Sequence, residues 1–349
     1  MMKKSAILTL LLLCCFSVFL WGCGKKEAEE PVPTPEPEPQ LTYCPLDHAV
    51  IDTMPSRVYA VAVDNGPKAE PQTNLSQADL VFEVPVEGGI NRFLALFYHN
   101  QPDVIGPVRS ARHYFIELVQ SFHAIYVHCG GSEMAYDSMG SVEDIDEMAA
   151  TSTFWRDKSR NAPVNLYTSW EKLNEKTSEN GWNDPQATTE FSFYDEDELT
   201  ALPQGNATEI QIPYTYKAVG YTWDAAQKCY LRSSDGNSHV DQATGATLTA
   251  DNIITMNINT RVVDEKGRLD MSFAGNSGSG YLFQNGNFQE ITWSMASTDT
   301  PLVFTLADGS AAKLVPGHTF IQVVPSQISV SHNGTAPETT EAAGEAGVE

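Results

Sequence analysis

Long apolar runs dominate the first half of the folded chain. Val58-Tyr59-Ala60-Val61-Ala62-Val63 reads as a continuous apolar strand that stops at the turn cluster Asp64-Asn65-Gly66-Pro67. Leu80–Val86 and Arg92–Tyr98 read as two more strands, and Glu87-Gly88-Gly89-Ile90-Asn91 between them predicts a hairpin. The period then changes. Phe115, Leu118, Val119 and Phe122 fall at helical spacing, with Ser110 in the N-cap position, so Ala111–Phe122 is predicted as an amphipathic helix. Ala124–His128 is the next strand. It runs into Cys129-Gly130-Gly131-Ser132-Glu133, a second strand-to-helix junction, followed by a short helix to about Met139. Trp155–Asp157 and Arg160–Tyr167 read as polar loop, and Ser169 to about Asn180 as a further helix that Ser169 caps.

Past about Gln204 the texture changes to short strands: Thr208–Tyr214, Lys228–Ser233, Ile253–Asn259, Leu269–Ala274, Gly280–Gln284, Phe288–Ser294, Leu302–Leu306 and Thr319–Val324. Turn signals separate them at Asp235-Gly236-Asn237, Asn285-Gly286-Asn287 and Asp308-Gly309-Ser310. Gly275-Asn276-Ser277-Gly278-Ser279-Gly280 reads as a flexible turn. The expected fold class is α+β: a layered sheet with helices over residues 46–200, then a mostly β domain over residues 201–330.

The ends carry different information. Lys3 and Lys4 precede an apolar run, Ala6–Leu20, of the length and position of a signal-peptide core. Leu20-Trp21-Gly22-Cys23 resembles a bacterial lipobox, although Trp21 is bulky for its position. Residues 1–23 are therefore expected to be a lipoprotein signal, with Cys23 taking the lipid and anchoring the chain at the outer face of the cytoplasmic membrane. Residues 24–45 form a linker rich in Pro and Glu, suited to an extended spacer. Residues 331–349 read as a disordered acidic tail.

A net charge of −24 without a basic run argues against nucleic acid, since phosphate neutralisation needs clustered Lys and Arg. Beyond the signal and Cys23, the chain keeps Cys44, Cys129 and Cys229. Their wide spacing is no metal-ligand pattern, and the expectation is free thiols, with a single disulfide left open. No cofactor and no metal is expected.

Candidate chemistry gathers around Gly106-Pro107-Val108-Arg109-Ser110-Ala111-Arg112. Arg109 and Arg112 carry forked donors suited to a carboxylate or phosphate, and Ser110 adds a hydroxyl. Asp64, Asn65 and Arg92 sit at strand ends, and Gly130, Gly131 and Ser132 open the second helix. These residues are the candidate ligand site. The bland alternative is that the two arginines pair with Glu83, Glu87 or Asp64 and pin the hairpin to the helix. Glu83, Glu87 and His128 are the weak catalytic candidates, as an acid–base set. Hydrolase elbows, zinc-protease motifs and phosphate loops are absent.

Several of these stretches resemble the YerB-like lipoproteins, known as domain of unknown function 3048. They are Val61–Asn65, Gln77–Glu83, Val86–Phe97, Ile105–Arg112 and Tyr126–Ser132, continued by Tyr221-Thr222-Trp223-Asp224, His239-Val240-Asp241 and Gly317–Pro325. The resemblance covers about Arg57 to Ser326. It implies layered sheets and helices with a β-rich C-terminal part, in a surface lipoprotein of Gram-positive bacteria. It offers no catalytic residue to carry over. Two functions follow. One is a non-enzymatic lipoprotein binding an anionic envelope ligand, such as a cell-wall component, or an envelope protein. The other is a cell-wall hydrolase working through Glu83 or Glu87 with His128.

Overall fold

The apolar runs form the middle of a ten-stranded mixed sheet. The strands of three or more residues among the described residues, over all sheets, are β1 (Tyr59–Asp64), β2 (Leu80–Pro85), β3 (Asn91–Phe97), β4 (Ile125–His128), β5 (Asp144–Asp146), β6 (Glu209–Pro213), β7 (Ala218–Asp224), β8 (Cys229–Ser234), β9 (Asn252–Ile258), β10 (Asn276–Gln284), β11 (Asn287–Met295), β12 (Val303–Thr305) and β13 (Thr319–Pro325). The ten-stranded order is β12-β11-β10-β9-β13-β2-β3-β1-β4-β5. The computed structural model describes residues 41–202 and 205–334. The expected signal, Cys23 and most of the linker and tail lie outside the described residues.

Every residue of β1, β2, β3 and β13 is buried. A sheet covered on both faces needs apolar residues at successive positions, which is why these strands do not alternate. On one face, α1 (His113–Ser121) packs Tyr114, Phe115, Leu118 and Val119 against Ala60, Phe82, Leu94 and Ile321. On the other face lies a second sheet of β8, β7 and β6, extended by short strands. Its Ile210, Ile212, Val219 and Tyr221 meet Val61, Val81, Phe93 and Phe320. In β6 the exposed–buried alternation shows a strand with one wet face. The fold class is thus α+β, with a mostly β C-terminal region. β13 pairs in parallel with β2, Phe320 opposite Val81, so one sheet runs through both sequence regions.

The other α-helices among the described residues are α2 (Glu133–Met139), α3 (Trp170–Asn180) and α4 (Glu196–Ala201). Ser169 caps α3 by accepting from Lys172 N, and Ser132 caps α2 by accepting from Ala135 N. Ser110 does not cap α1. The helix starts two residues later than the spacing suggested, at His113, with Arg112 as an N-cap that makes no side-chain bond. The cause is tertiary: Arg109 N donates to Ala62 O and Ala111 N to Gly130 O, which hold this segment extended beside β1 and the end of β4.

Other boundaries also moved. Asn276–Gly280, read from sequence as part of a flexible turn, is the first half of β10. A Cβ on Gly280 would lie 1.8 Å from the Thr255 carbonyl oxygen, so glycine serves a close strand approach there. β7 went unread because Gly220 interrupts its apolar pattern. Ser331–His332, expected in the tail, pairs with Ile210 and Gln211. At the other end, Thr42–Tyr43 of the expected linker pairs with Val50–Ile51.

Gly106 is the glycine on which the loop into α1 depends. Its φ is 154°, and a Cβ would come within 2.7 Å of Leu166 O and 2.8 Å of the Tyr167 ring. Gly106→Ala is expected to lower unfolding free energy by about 1–2 kcal/mol, measured as a shift in urea midpoint at constant slope.

Candidate functional site

Asp64 at the end of β1 lies opposite Arg92 at the start of β3, and Val108–Arg109 runs alongside. Arg109 Nε sits 2.9 Å from Asp64 Oδ2, an ion pair without the alignment of a hydrogen bond. Arg112 is more fully engaged. Its Nε donates to both Glu87 oxygens at 2.9 and 2.7 Å, its Nη2 donates to Oε2 at 2.6 Å, and its Nη1 donates to Ala111 O at 2.8 Å. Arg92 is buried and donates to Ser110 O at 2.6 Å, while its Nε has no partner. Burial, with Arg112 beside it, pulls Arg92 down to about 10. Of the carboxylates weighed for the two arginines, Asp64 and Glu87 take them, and Glu83 does not.

The second helix start does lie beside this segment, through the Ala111–Gly131 bridge. Its amides are largely spent: Gly130 N donates to Asp146 Oδ1 and Ser132 N to Ala111 O. His128 is fully buried, with Nδ1 2.9 Å from Gly130 O and Nε2 3.2 Å from Asp144 Oδ2.

Glu83 points the other way. Phe82 and Val84 face α1, so the side chain between them faces the second sheet. There Glu83 Oε1 accepts from Asn65 Nδ2 and Asn91 Nδ2, both at 3.0 Å, and Oε2 accepts from Arg232 Nη2 at 2.8 Å. Arg232 also donates to Tyr221 Oη at 2.9 Å and to His239 Nδ1 at 3.1 Å. His239 Nε2 donates to Gln72 Oε1 at 2.7 Å, and Gln322 Nε2 donates to Tyr221 Oη at 2.9 Å. The members of this network are buried and hydrogen-bonded to one another, and they lock the second sheet onto the first. Sequence reading missed Arg232, Gln72 and His239, because no local pattern links them to Glu83.

The acid–base set is therefore not assembled. Glu83 and His128 lie on opposite faces of the sheet, three strand spacings apart, roughly 14 Å. Both are enclosed and hydrogen-bonded, and Glu87 is held by Arg112. Proton transfer to a substrate needs direct or one-water reach, and Glu83 and His128 are both 0% exposed.

A roomy concavity lies elsewhere. It is a groove of about 870 Å³ lined by Lys68, Arg156, Lys158, Arg160, Trp155 and Tyr167, together with Glu70 and Asp157. Trp155 stacks on Tyr167 with centroids 6.3 Å apart. Arg160 donates to the carbonyls of Pro71, Lys68 and Ala69 and to Tyr167 Oη, and among the described residues no carboxylate lies within ion-pair reach of it. Glu70 is taken by Lys217 at 2.8 Å, and Arg156 stands 3.7 Å from Glu147. Lys68 and Lys158 are exposed. A local signal existed for this groove: Arg156, Lys158 and Arg160 alternate beside Trp155 in a chain with 21 Lys and Arg against 45 Asp and Glu.

Comparison with known proteins places the chain in a family. Residues 48–183 match the N-terminal domain, and residues 210–321 the C-terminal domain, of a protein family of unknown function, DUF3048. The chain is 34% identical over 319 residues to "Putative lipoprotein YerB" of Bacillus subtilis (strain 168), covering 89% of this chain and 93% of that protein. It is also similar to the crystal structure of the YerB protein from Bacillus subtilis, with a TM-score of 0.74 at 32% identity, covering 83% of this chain and 99% of that one. With both domain models matched in order and a similar crystal structure spanned almost end to end, the chain belongs to the YerB-like DUF3048 family.

Proposed function

We propose that this protein is a non-enzymatic lipoprotein, held at the outer face of the cytoplasmic membrane through lipid on Cys23, that binds an anionic envelope ligand in the Lys68–Arg160 groove. Membrane anchoring is supported by the Lys3-to-Cys23 pattern and by the name of the YerB relative. No described helix is long and apolar enough to cross a membrane. The observation that carries the binding reading is the charge of the groove. Four cationic side chains line it against two carboxylates, one already paired, on a chain of net charge −24. Cations placed against that background attract a polyanion, and the Trp155 ring offers a flat apolar face to a sugar. The Arg109–Ser110–Arg112 end, first considered for the ligand, serves in this reading as the clamp that holds the hairpin and the α1 entry to β1.

The test uses poly(glycerol phosphate) as probe, with a neutral polysaccharide as control, titrated calorimetrically into the detergent-solubilised protein. Lys68→Glu combined with Lys158→Glu is expected to raise Kd about tenfold or more and to flatten its salt dependence. An unchanged Kd in the folded double variant overturns the groove as the site.

A further inference from the structure

Away from the groove, the chain enters the fold through a small ribbon. Thr42–Tyr43 pairs with Val50–Ile51, and the turn between them carries Cys44 and Asp47. Cys44 is fully buried, its amide donating to Ala49 O. This turn packs against the start of β2 and the end of β3, where Asp79 and His99 stand. His99 Nε2 lies 2.8 Å from Asp47 Oδ2 and 2.7 Å from Asp79 Oδ1. The other oxygen of each carboxylate is anchored: Asp47 Oδ1 accepts from Ala49 N at 3.1 Å and Asp79 Oδ2 from Tyr98 N at 2.6 Å. The ligand atoms of Cys44, Asp47, Asp79 and His99 all lie within 4.8 Å of one another.

We propose that Cys44, Asp47, Asp79 and His99 form a closed, four-ligand Zn²⁺ site that staples the entry ribbon to the sheet. One thiol, one imidazole and two carboxylates suit a borderline-soft ion that accepts sulfur, nitrogen and oxygen together. Tetrahedral zinc at its usual bond lengths places ligand atoms about 3.3–3.8 Å apart, so the widest pairs in the cluster close by up to roughly an ångström while the two His99–carboxylate pairs open by about half an ångström. The anchored second oxygens orient both carboxylates in advance, as outer-shell bonds do at metal centres. Four protein ligands leave no open position, which makes the ion structural.

Zn²⁺ binding has to displace two protons, and the net charge is conserved. The hydrogen bonds that His99 donates to Asp47 and Asp79 push it up to about 10, so without metal the ring carries both protons. Burial pushes the Cys44 thiol up as well, keeping it protonated. Binding forms one Zn–S, one Zn–N and two Zn–O bonds, and breaks the N–H at Nε2 and the S–H of Cys44. Two protons leave to solvent. The net charge of the cluster is −1 before, from two carboxylates and an imidazolium, and −1 after, from two carboxylates, a thiolate and Zn²⁺. The thiolate and the ion compensate each other, and no net buried charge is added. Asp47 and His99 retain slight exposure, 13% and 17% of their side chains, which leaves an entry route from that side.

The test is metal loading of the full chain in detergent, after chelator treatment and desalting. Elemental analysis is expected to give one tightly retained Zn²⁺ per chain, with a rise in Tm. Co²⁺ is expected to produce a thiolate-to-metal band in the ultraviolet and tetrahedral visible bands. Cys44→Ser should abolish the ultraviolet band, whereas Cys129→Ser and Cys229→Ser should keep it. Wild-type protein that retains no Zn²⁺, or a folded Cys44→Ser protein with an unaltered Co²⁺ spectrum, overturns the site. The wild-type stoichiometry decides the matter even if Cys44→Ser does not fold.

Discussion

Glu83→Gln is expected to lower unfolding free energy by about 3–5 kcal/mol, among the largest losses available to a single conservative change here. The substitution keeps the shape and one acceptor oxygen for the amides of Asn65 and Asn91. It removes the only charge facing Arg232 within ion-pair distance among the described residues, and both side chains of that pair are 1% exposed. Arg232 would keep its bonds to Tyr221 and His239, but both are neutral partners. The Phe93, Tyr221 and Phe320 rings, with centroids 5.6, 5.4 and 5.3 Å from the guanidinium carbon, would recover part of the loss. Removing both charges, as Glu83→Gln with Arg232→Met, is expected to restore much of the stability, because no orphaned ion remains. Urea unfolding of the two singles and the double forms the required cycle. A Glu83→Gln loss under about 1 kcal/mol would mean that the pair does not clamp the sheets.

The second large effect is on pH dependence. His239 is 2% exposed, and burial, with Arg232 and Lys217 beside it, holds it well below the ordinary histidine range. The geometry agrees: Nδ1 accepts from Arg232 Nε and Nε2 donates to Gln72, so a second ring proton would meet a guanidinium N–H. The charged groups around it are Arg232 and its partner Glu83, and Lys217 with its partner Glu70. A depressed folded value means that the unfolded chain binds the proton first as pH falls. The stability contribution is therefore complete above about pH 6.5 and is lost below it, by about 1.4 kcal/mol per pH unit. His239→Gln should remove that slope, whatever its cost at pH 7. Parallel stability–pH curves for wild type and variant would show that His239 carries none of it.

The elements that were legible in the sequence are those held by neighbours in the chain. α3 ends where read because Gly181 adopts the left-handed conformation and Ser169 caps its start, each within one helical turn. The β10–β11 hairpin follows from Asn285 and Gly286, both with positive φ. The failures have the opposite character. Ser110 satisfies every local criterion for a cap, yet Arg109 and Ala111 bond to β1 and to Gly130, and those contacts outweigh one capping bond. The stretch ending at Gly280 has the composition of a flexible turn, but Gly278 and Gly280 are small so that the neighbouring strand, with its Asn257 and Thr255 carbonyls, can pass closely.

By itself the sequence determined the α+β class, the unbroken apolar strands, the family, and the presence of polar groups at strand ends. Those depend on composition, period and short-range order. Only the tertiary structure decided what the polar groups do. Glu83 and Arg232 are 149 positions apart, and Asp47 and His99 are 52 apart. The groove joins Lys68 to Gln242. Which side of a sheet a side chain faces turns on a single-residue step, and which partner it meets there depends on strand order. Neither is written in the spacing of a motif. Both follow from packing, which sent Glu83 away from Arg109, Arg112 and His128 and into a buried clamp with Arg232.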